Sequence, residues 1–194
     1  MSDLERKRLA LRQAGNANFH KLDKVSADIF ALTYGALVKQ ILQDYETIPE
    51  TNKMIHKLGY SIGTRIVDEF LAKANINTCQ NFMETAEIIA KVAFKMFLGV
   101  HVDVAEEASS DQFTLKIAEN PLAELVELPE EYILSPEKLQ YSGLLCGVIR
   151  GALEMVGMRV ECSLKSDTLW GDEITEIQVT LIEMIADEYI DPDE

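Results

Sequence analysis

The stretch Tyr141-Ser-Gly-Leu-Leu-Cys-Gly-Val-Ile-Arg-Gly-Ala-Leu-Glu-Met-Val156 decides the fold of this chain, because a helical apolar period is interrupted there by regularly spaced glycines. Gly143, Gly147 and Gly151 recur every four residues and therefore form one stripe without side chains on a helix. Each glycine costs about 1 kcal/mol relative to alanine inside a helix. The stripe therefore indicates that either a second helix backbone or a long slender ligand lies close against it.

A second pair of glycines with the same spacing lies earlier in the chain. Gly59 and Gly63 fall on a helix predicted from about Glu50 to Ala74-Asn75, so this helix presents a small-residue notch of its own. The notch is a plausible partner for the later stripe. The apolar face of this helix is predicted to consist of Met54, Leu58, Ile62, Ile66 and Phe70.

The remaining patterns complete an α+β fold. One helix is predicted from Ser26 to Tyr45, another from a Thr85 cap to Leu98, and a start signal for the glycine-striped helix lies at Ser135-Pro136-Glu137. Residues 100–104, 113–117, 158–164 and 174–181 alternate in polarity, as strands with one buried face do. The chain is thus predicted to pack helices on one face of a four-stranded antiparallel sheet, in the order ααα-ββ-α-ββ.

The distribution of charge divides the chain of 194 residues into three parts. We predict a flexible N-terminal arm (1–24), a single domain (25–182) and an acidic C-terminal tail (183–194). The net charge is −15, and residues 100–194 carry five basic and 22 acidic side chains. Such a surface repels nucleic acids and anionic lipid headgroups, so any membrane association is expected to be indirect.

The three cysteines are an odd number without metal-ligand spacing, which indicates a reducing compartment and no metal site. Cys146 and Cys162 are predicted to be buried small apolar residues. Cys79 lies in a polar stretch just ahead of the third helix, where a helix N-terminus would lower the pKa of its thiol. A catalytic thiol, an acylation site and an unreactive surface cysteine all remain open for it.

Several strings of the sequence resemble one family. They are Leu32–Leu37, Gln43–Glu46, Gly59–Ala72, Glu84–Gly99, Asn120–Pro129, the glycine-striped stretch and Gly171–Glu176, and they run in order from about residue 26 to 181. On these strings the chain resembles the small core subunits of the transport protein particle (TRAPP) vesicle-tethering complex, with the subunit-three branch nearest. The first 24 residues do not match.

The resemblance implies a non-enzymatic scaffold that pairs with other small TRAPP subunits, and with itself in isolation. The assembled complex would act in ER-to-Golgi transport and promote nucleotide exchange on a Ypt/Rab GTPase. The chain would be cytoplasmic and peripheral at cis-Golgi and ER–Golgi membranes. Cys79 matches the acylated cysteine of the family, so the resemblance also implies a palmitate-like saturated fatty acid on Cys79, buried inside the protein.

Two hypotheses about sites follow, and one functional alternative remains. The acyl channel is expected to be lined by Gly59, Gly63, Ala90, Ala93, Gly143, Gly147 and Gly151. The GTPase contact is expected at Asp187, Glu188, Asp191, Asp193 and Glu194 in the acidic tail. The alternative function is a soluble sensor or carrier of a small hydrophobic ligand, because bacterial relatives use the same α+β fold in that way.

Overall fold

A computed structural model describes residues 3–74, 81–106 and 109–185. Its helices are α1 (Asp3–Lys21), α2 (Ala27–Tyr45), α3 (Ile48–Ala74), α4 (Phe82–Ile88), a π segment (Ile89–Ala93), α5 (Phe94–Leu98), α6 (Glu130–Ile133) and α7 (Gly143–Met155). Its strands are β1 (Asp103–Glu106), β2 (Gln112–Ile117), β3 (Met158–Ser166) and β4 (Thr175–Met184), and a 3₁₀ turn spans Thr168–Trp170.

The four strands form one antiparallel sheet in the order β1-β2-β4-β3. The two central strands alternate as the sequence predicts, and Phe113, Leu115 and Ile117 of β2 are fully buried beside Ile177 and Val179 of β4. Helices α4 and α7 contribute to the same core, which confirms the predicted α+β class.

The N-terminal part differs from its prediction as a flexible arm. Residues 3–21 form α1, which packs against the π segment and α5. The backbone of α1 at Gly15 lies close to the carbonyl of Lys91, and the side-chain amide of Asn18 donates to the carbonyl oxygen of Ala74 at 3.3 Å. The sequence did not predict this docking, because the residues that α1 contacts are 56 to 76 positions away and α1 has few apolar side chains.

The start of α7 also differs from its prediction at Ser135. The segment before α7 is held in another conformation by α3, since Asn52 donates to the carbonyl of Lys138 and accepts from the amide of Gln140. Leu139, between these two contacts, is buried in the core. Tertiary contacts therefore override a good local start signal, and the helix begins only at Gly143.

Two further boundaries are corrected by local contacts. The third predicted helix begins at Phe82, because Asn81 rather than Thr85 caps it by accepting from the amide of Glu84. The expected boundary between domain and tail at 182/183 falls inside β4, where Glu183 pairs with Arg159 of β3. The acidic tail is therefore part of the sheet up to Met184.

Candidate functional site

The two predicted sites that carry chemistry lie outside the described residues. Cys79 falls in the segment 75–80, and Asp187, Glu188, Asp191, Asp193 and Glu194 fall in 186–194. The structure does fix the residues on either side of the thiol. Ala74 ends α3 in a buried position, and Asn81 caps α4 two residues after Cys79.

Two apolar clusters lie behind this corner of the molecule. The helix that follows Asn81 presents Phe82, Ala86 and Ala90 to the main core. A second, smaller cluster joins the end of α3 to the π segment, to α5 and to α1. It consists of Ala74, Val92 and Met96, with Leu11, Leu22, Phe70 and Phe97 packed against it. Ala74, the last described residue before Cys79, therefore lies in an apolar part of the interior.

The π segment Ile89–Ala93 brings two of the predicted channel residues into one helical turn. Ala90 is fully buried and Ala93 is half-buried. A π turn is a local widening of an α-helix that is frequent at functional sites. Inside it, the side chain of Lys91 is 3% exposed, and its ammonium donates to the carbonyl of Val102 at 2.6 Å and to Asp103 Oδ1 at 2.5 Å. This bond to Lys91 lowers the pKa of the Asp103 carboxyl.

Four of the predicted channel glycines instead form a contact between two helix backbones. We call Gly59 and Gly63 of α3 with Gly147 and Gly151 of α7 the glycine seam. A Cβ on Gly59 would lie 2.2 Å from the carbonyl oxygen of Leu144, and one on Gly147 would lie 2.2 Å from that of His56. The neighbouring backbone thus fills the space that a ligand would need.

The remaining glycine of the stripe is also occupied. A Cβ on Gly143 would lie 2.8 Å from Nε2 of His56, whose ring contacts the Gln140 side chain. The prediction that these glycines line an acyl channel is therefore wrong, and the helix-packing interpretation of the stripe is confirmed. The reason is steric, since two helices that both lack side chains at the contact approach until their backbones touch.

The two described cysteines are poor nucleophiles. Cys146 is fully buried, and burial raises the pKa of its thiol well above the ordinary value. Cys162 of β3 is half-buried, less than the sequence predicts, and desolvation raises the pKa of its thiol to about 12. Because the thiolate is the reactive form, neither group is suited to acylation at neutral pH.

Helix α2 carries an exposed apolar surface that the sequence patterns did not predict. Tyr34, Val38 and Ile41 form the buried side of this helix. Leu32 and Ile29, by contrast, are 74% and 65% exposed. Ile29 belongs to the apolar helical period that begins after Ser26. The available signal was that α2 is apolar on more than one side, which is typical of a helix covered by a second protein.

The described residues contain neither a metal-ligand cluster nor a membrane-spanning helix. Within residues 3–74, 81–106 and 109–185, no group of three His, Cys, Asp or Glu side chains is placed to hold a metal ion. None of the helices in those ranges is long and apolar enough to cross a bilayer.

Comparison with known proteins agrees with this architecture. The family model described as "Transport protein particle (TRAPP) component" matches residues 30–180. Trafficking protein particle complex subunit 3 of Dictyostelium discoideum is 50% identical over 174 residues, covering 89% of this chain and 92% of that protein.

Solved structures give the same result. The structure of trafficking protein particle complex subunit 3 from Naegleria fowleri, covalently bound to palmitic acid, is 46% identical with a TM-score of 0.79. It covers 84% of this chain and 99% of the Naegleria chain. The phenol-responsive sensory domain of the transcription activator PoxR matches 82% of this chain and 76% of its own at 10% identity and a TM-score of 0.51, which shows a shared fold alone. The chain therefore belongs to the TRAPP component family, and as a TRAPP subunit it assembles with other TRAPP subunits in a trafficking complex.

Proposed function

We propose that this chain is a non-catalytic scaffold subunit that carries a palmitate-like acyl chain on Cys79. The observation that supports the proposal best is the 46% identical Naegleria protein, which is covalently bound to palmitic acid. The other two thiols of the chain have raised pKa values, which leaves Cys79 as the acceptor suited to a thioester.

The acyl chain is proposed to enter beside the π segment, away from the glycine seam. The helix that contains Ala90 and Ala93 begins three residues after Cys79, and alanine leaves more room than the larger apolar residues around it. The apolar corner next to Ala74 and Val92 offers hydrocarbon contacts to a fatty acid. In this arrangement the acyl chain is part of the core of the subunit.

Intact-mass spectrometry of the purified full chain, before and after hydroxylamine, tests the modification. We expect one palmitoyl mass increment that hydroxylamine removes, as a thioester requires. Cys79→Ser should abolish the increment, whereas the matched variant Cys162→Ser should retain it. A palmitoyl group that persists in Cys79→Ser would overturn the assignment. An exchangeable, non-covalent lipid would favour the alternative function as a ligand sensor or carrier.

The path of the acyl chain is tested by a size change at the π segment. Ala93→Leu should reduce acyl occupancy at least fivefold, because the added methylenes occupy the proposed channel. Ala72→Leu adds the same volume at an exposed position of α3 and serves as the control. Unchanged occupancy in a folded Ala93→Leu protein would place the chain elsewhere.

The exposed surface of α2 is proposed to pair this subunit with another small TRAPP subunit, or with a second copy in isolation. Burying side chains such as Leu32 and Ile29 would remove a large apolar area from water. Leu32→Glu should therefore convert assembled protein to monomer in light scattering after size exclusion. Ala72→Glu, which adds the same charge at an exposed position of α3, is the control. Unaltered assembly of Leu32→Glu would exclude this surface.

We also propose that the acidic tail contributes to nucleotide exchange on a Ypt/Rab GTPase in ER-to-Golgi transport, at the cytoplasmic side of Golgi membranes. Family membership and the five carboxylates of residues 187–194 support this role. Neutralising these carboxylates to amides in the assembled complex should slow release of a fluorescent nucleotide from the GTPase. An unchanged release rate would remove the tail from the exchange surface.

A further inference from the structure

A groove lined by basic side chains opens between the first half of α3, the segment before α7, and α7 itself. Lys53 and Lys57 of α3 and Arg150 of α7 contribute three cations, and Glu137 is the acidic residue of the lining. A local excess of positive charge is unusual in a chain whose net charge is −15. The groove is therefore electrostatically suited to an acidic ligand.

The groove is a preorganised surface whose cations are available. Across residues 3–74, 81–106 and 109–185, no carboxylate forms an ion pair with Lys53, Lys57 or Arg150. The guanidinium of Arg150 lies over the ring of Tyr60, 5.2 Å from its centroid, which fixes its position. One rim is held by the contact between His56 Nε2 and Gln140 Oε1 at 2.8 Å.

The last strand, β4, ends beside α7, which also contributes Arg150 to the groove. The amide of Ile185 donates to the carbonyl of Gly157 at 2.7 Å, so the described part of the chain ends beside the C-terminal end of α7. Arg150 lies seven residues before Gly157, or about 10 Å back along the helix. The glycine contacts show that α3 and α7 run parallel, which places Tyr60 level with Gly151 and Lys57 one turn further back.

The length and charge of the last nine residues fit that distance. Nine extended residues span up to about 30 Å, so the chain can reverse direction and still pass Arg150 and Lys57. Five of these residues are acidic. We propose that residues 187–194 fold back and bind the basic groove of their own chain, with carboxylates of Asp191, Asp193 and Glu194 against Arg150 and Lys57.

The tail would then have two states, one bound to the groove and one available to a partner. A tail held by Arg150 and Lys57 is withheld from any partner that needs its carboxylates, and a partner must compete with the groove. The proposal does not depend on the identity of that partner, because it concerns only binding between two parts of this chain. It is consequently testable on the isolated full-length protein.

Carbodiimide cross-linking of the full chain provides the test, because it joins carboxylates to lysine amines only where they are in contact. An equal mixture of unlabelled and ¹⁵N-labelled protein is treated at low salt, and linked peptides are identified by mass spectrometry. We expect links from the tail to Lys57 and Lys53, each with both peptides carrying the same isotope. Arg150→Glu should reduce their yield at least threefold, and Lys39→Glu, an equal charge change on α2, should leave it unchanged.

Each other outcome contradicts the proposal. Links between peptides of different isotope would show that the tail binds a second copy. Links of equal yield to Lys39, Lys116 and Lys57 would show that the tail binds no particular site. A yield that is the same in folded Arg150→Glu protein would remove the groove as the binding surface.

Discussion

Two contacts between helices in this chain pass through glycine, and they differ in what surrounds the glycine. In the glycine seam, four glycines from α3 and α7 bring two backbones together in the interior of the domain. In the α1 contact, one glycine, Gly15, meets the carbonyl of Lys91. Around it, Arg8 pairs with Glu87 and Arg12 with Asp103.

The comparison shows that a close backbone contact can either fix two helices in place or hold a helix that is released more easily. The seam fixes the relative position of α3 and α7, because their backbones touch with no side chain between them. The α1 contact combines apolar packing at Leu11 with two ion pairs, of which the exposed Arg12–Asp103 pair contributes about 0–1 kcal/mol. We therefore expect α1 to be released at much lower free energy than the seam.

The largest expected effect breaks the seam. At Gly147 a Cβ would lie 2.2 Å from the carbonyl oxygen of His56 and 2.9 Å from Cα of Gly59, so the helices must separate. Gly147→Ala should lower the free energy of unfolding by about 3 kcal/mol in urea titrations, and Gly147→Leu should prevent folding. Gly35→Ala is the control, because its Cβ would meet only Tyr141 Oη at 3.6 Å and the change should be neutral or stabilising. Equal stability of the two alanine variants would contradict the seam.

A smaller effect is expected when the α1 contact is broken in the same way. A Cβ at Gly15 would lie 2.3 Å from the carbonyl oxygen of Lys91, so Gly15→Leu should detach α1. Hydrogen exchange in residues 3–21 should then become at least tenfold faster, while β2 and β4 keep their protection. Ala17→Leu adds the same side chain at an exposed position of α1 and should change neither. Loss of protection in the whole sheet would show that α1 is integral to the core.

The smallest effect concerns Asp103 of β1, which pairs with Lys91 of the π segment and with Arg12 of α1. The Lys91 ammonium lowers the pKa of the Asp103 carboxyl, so this interaction stabilises the folded state above the ordinary carboxyl pKa of about 3.9. Its contribution is lost as the pH falls through the lowered value. Asp103→Asn should cost about 1 kcal/mol at pH 7, with allowance for the exposure of Asp103, and the difference from wild type should vanish in strong acid.

Thermal unfolding of wild type and Asp103→Asn across that pH range measures the effect. Asp68→Asn, which removes an exposed carboxylate from α3, provides the comparison. A constant difference between wild type and Asp103→Asn at every pH would indicate a packing effect instead of an ionic one.

The features that the sequence predicted correctly are those that depend on a repeated spacing within one helix or strand. The alternation of Phe113, Leu115 and Ile117 gave β2, and the fourfold spacing of Gly143, Gly147 and Gly151 gave a helix that packs closely on another. The burial of Cys146 followed from its place in the same helix. In each case the period itself contains the information, because one face of an element must be apolar or small to be buried.

The positions of the candidate sites depend on contacts between residues far apart in the sequence, which no local pattern can predict. On α2, Ile29 belongs to the apolar helical period but is exposed, whereas Tyr34 is buried and donates to the carbonyl of Tyr141 at 2.6 Å. A helix that is apolar on several sides does not specify which side faces its own domain. The basic groove is equally non-local, since Lys57 and Arg150 are brought together only by the seam.

The sequence by itself determined the α+β class, the antiparallel sheet, and the existence of a close contact at the glycine stripe, because these depend on periods within single elements. Only the tertiary structure decided that backbone occupies that stripe, that residues 3–21 dock as a helix, and that cations from α3 and α7 share one groove. The physical reason is that steric fit and charge pairing are settled between atoms far apart in the chain, and their positions exist only once the helices have packed.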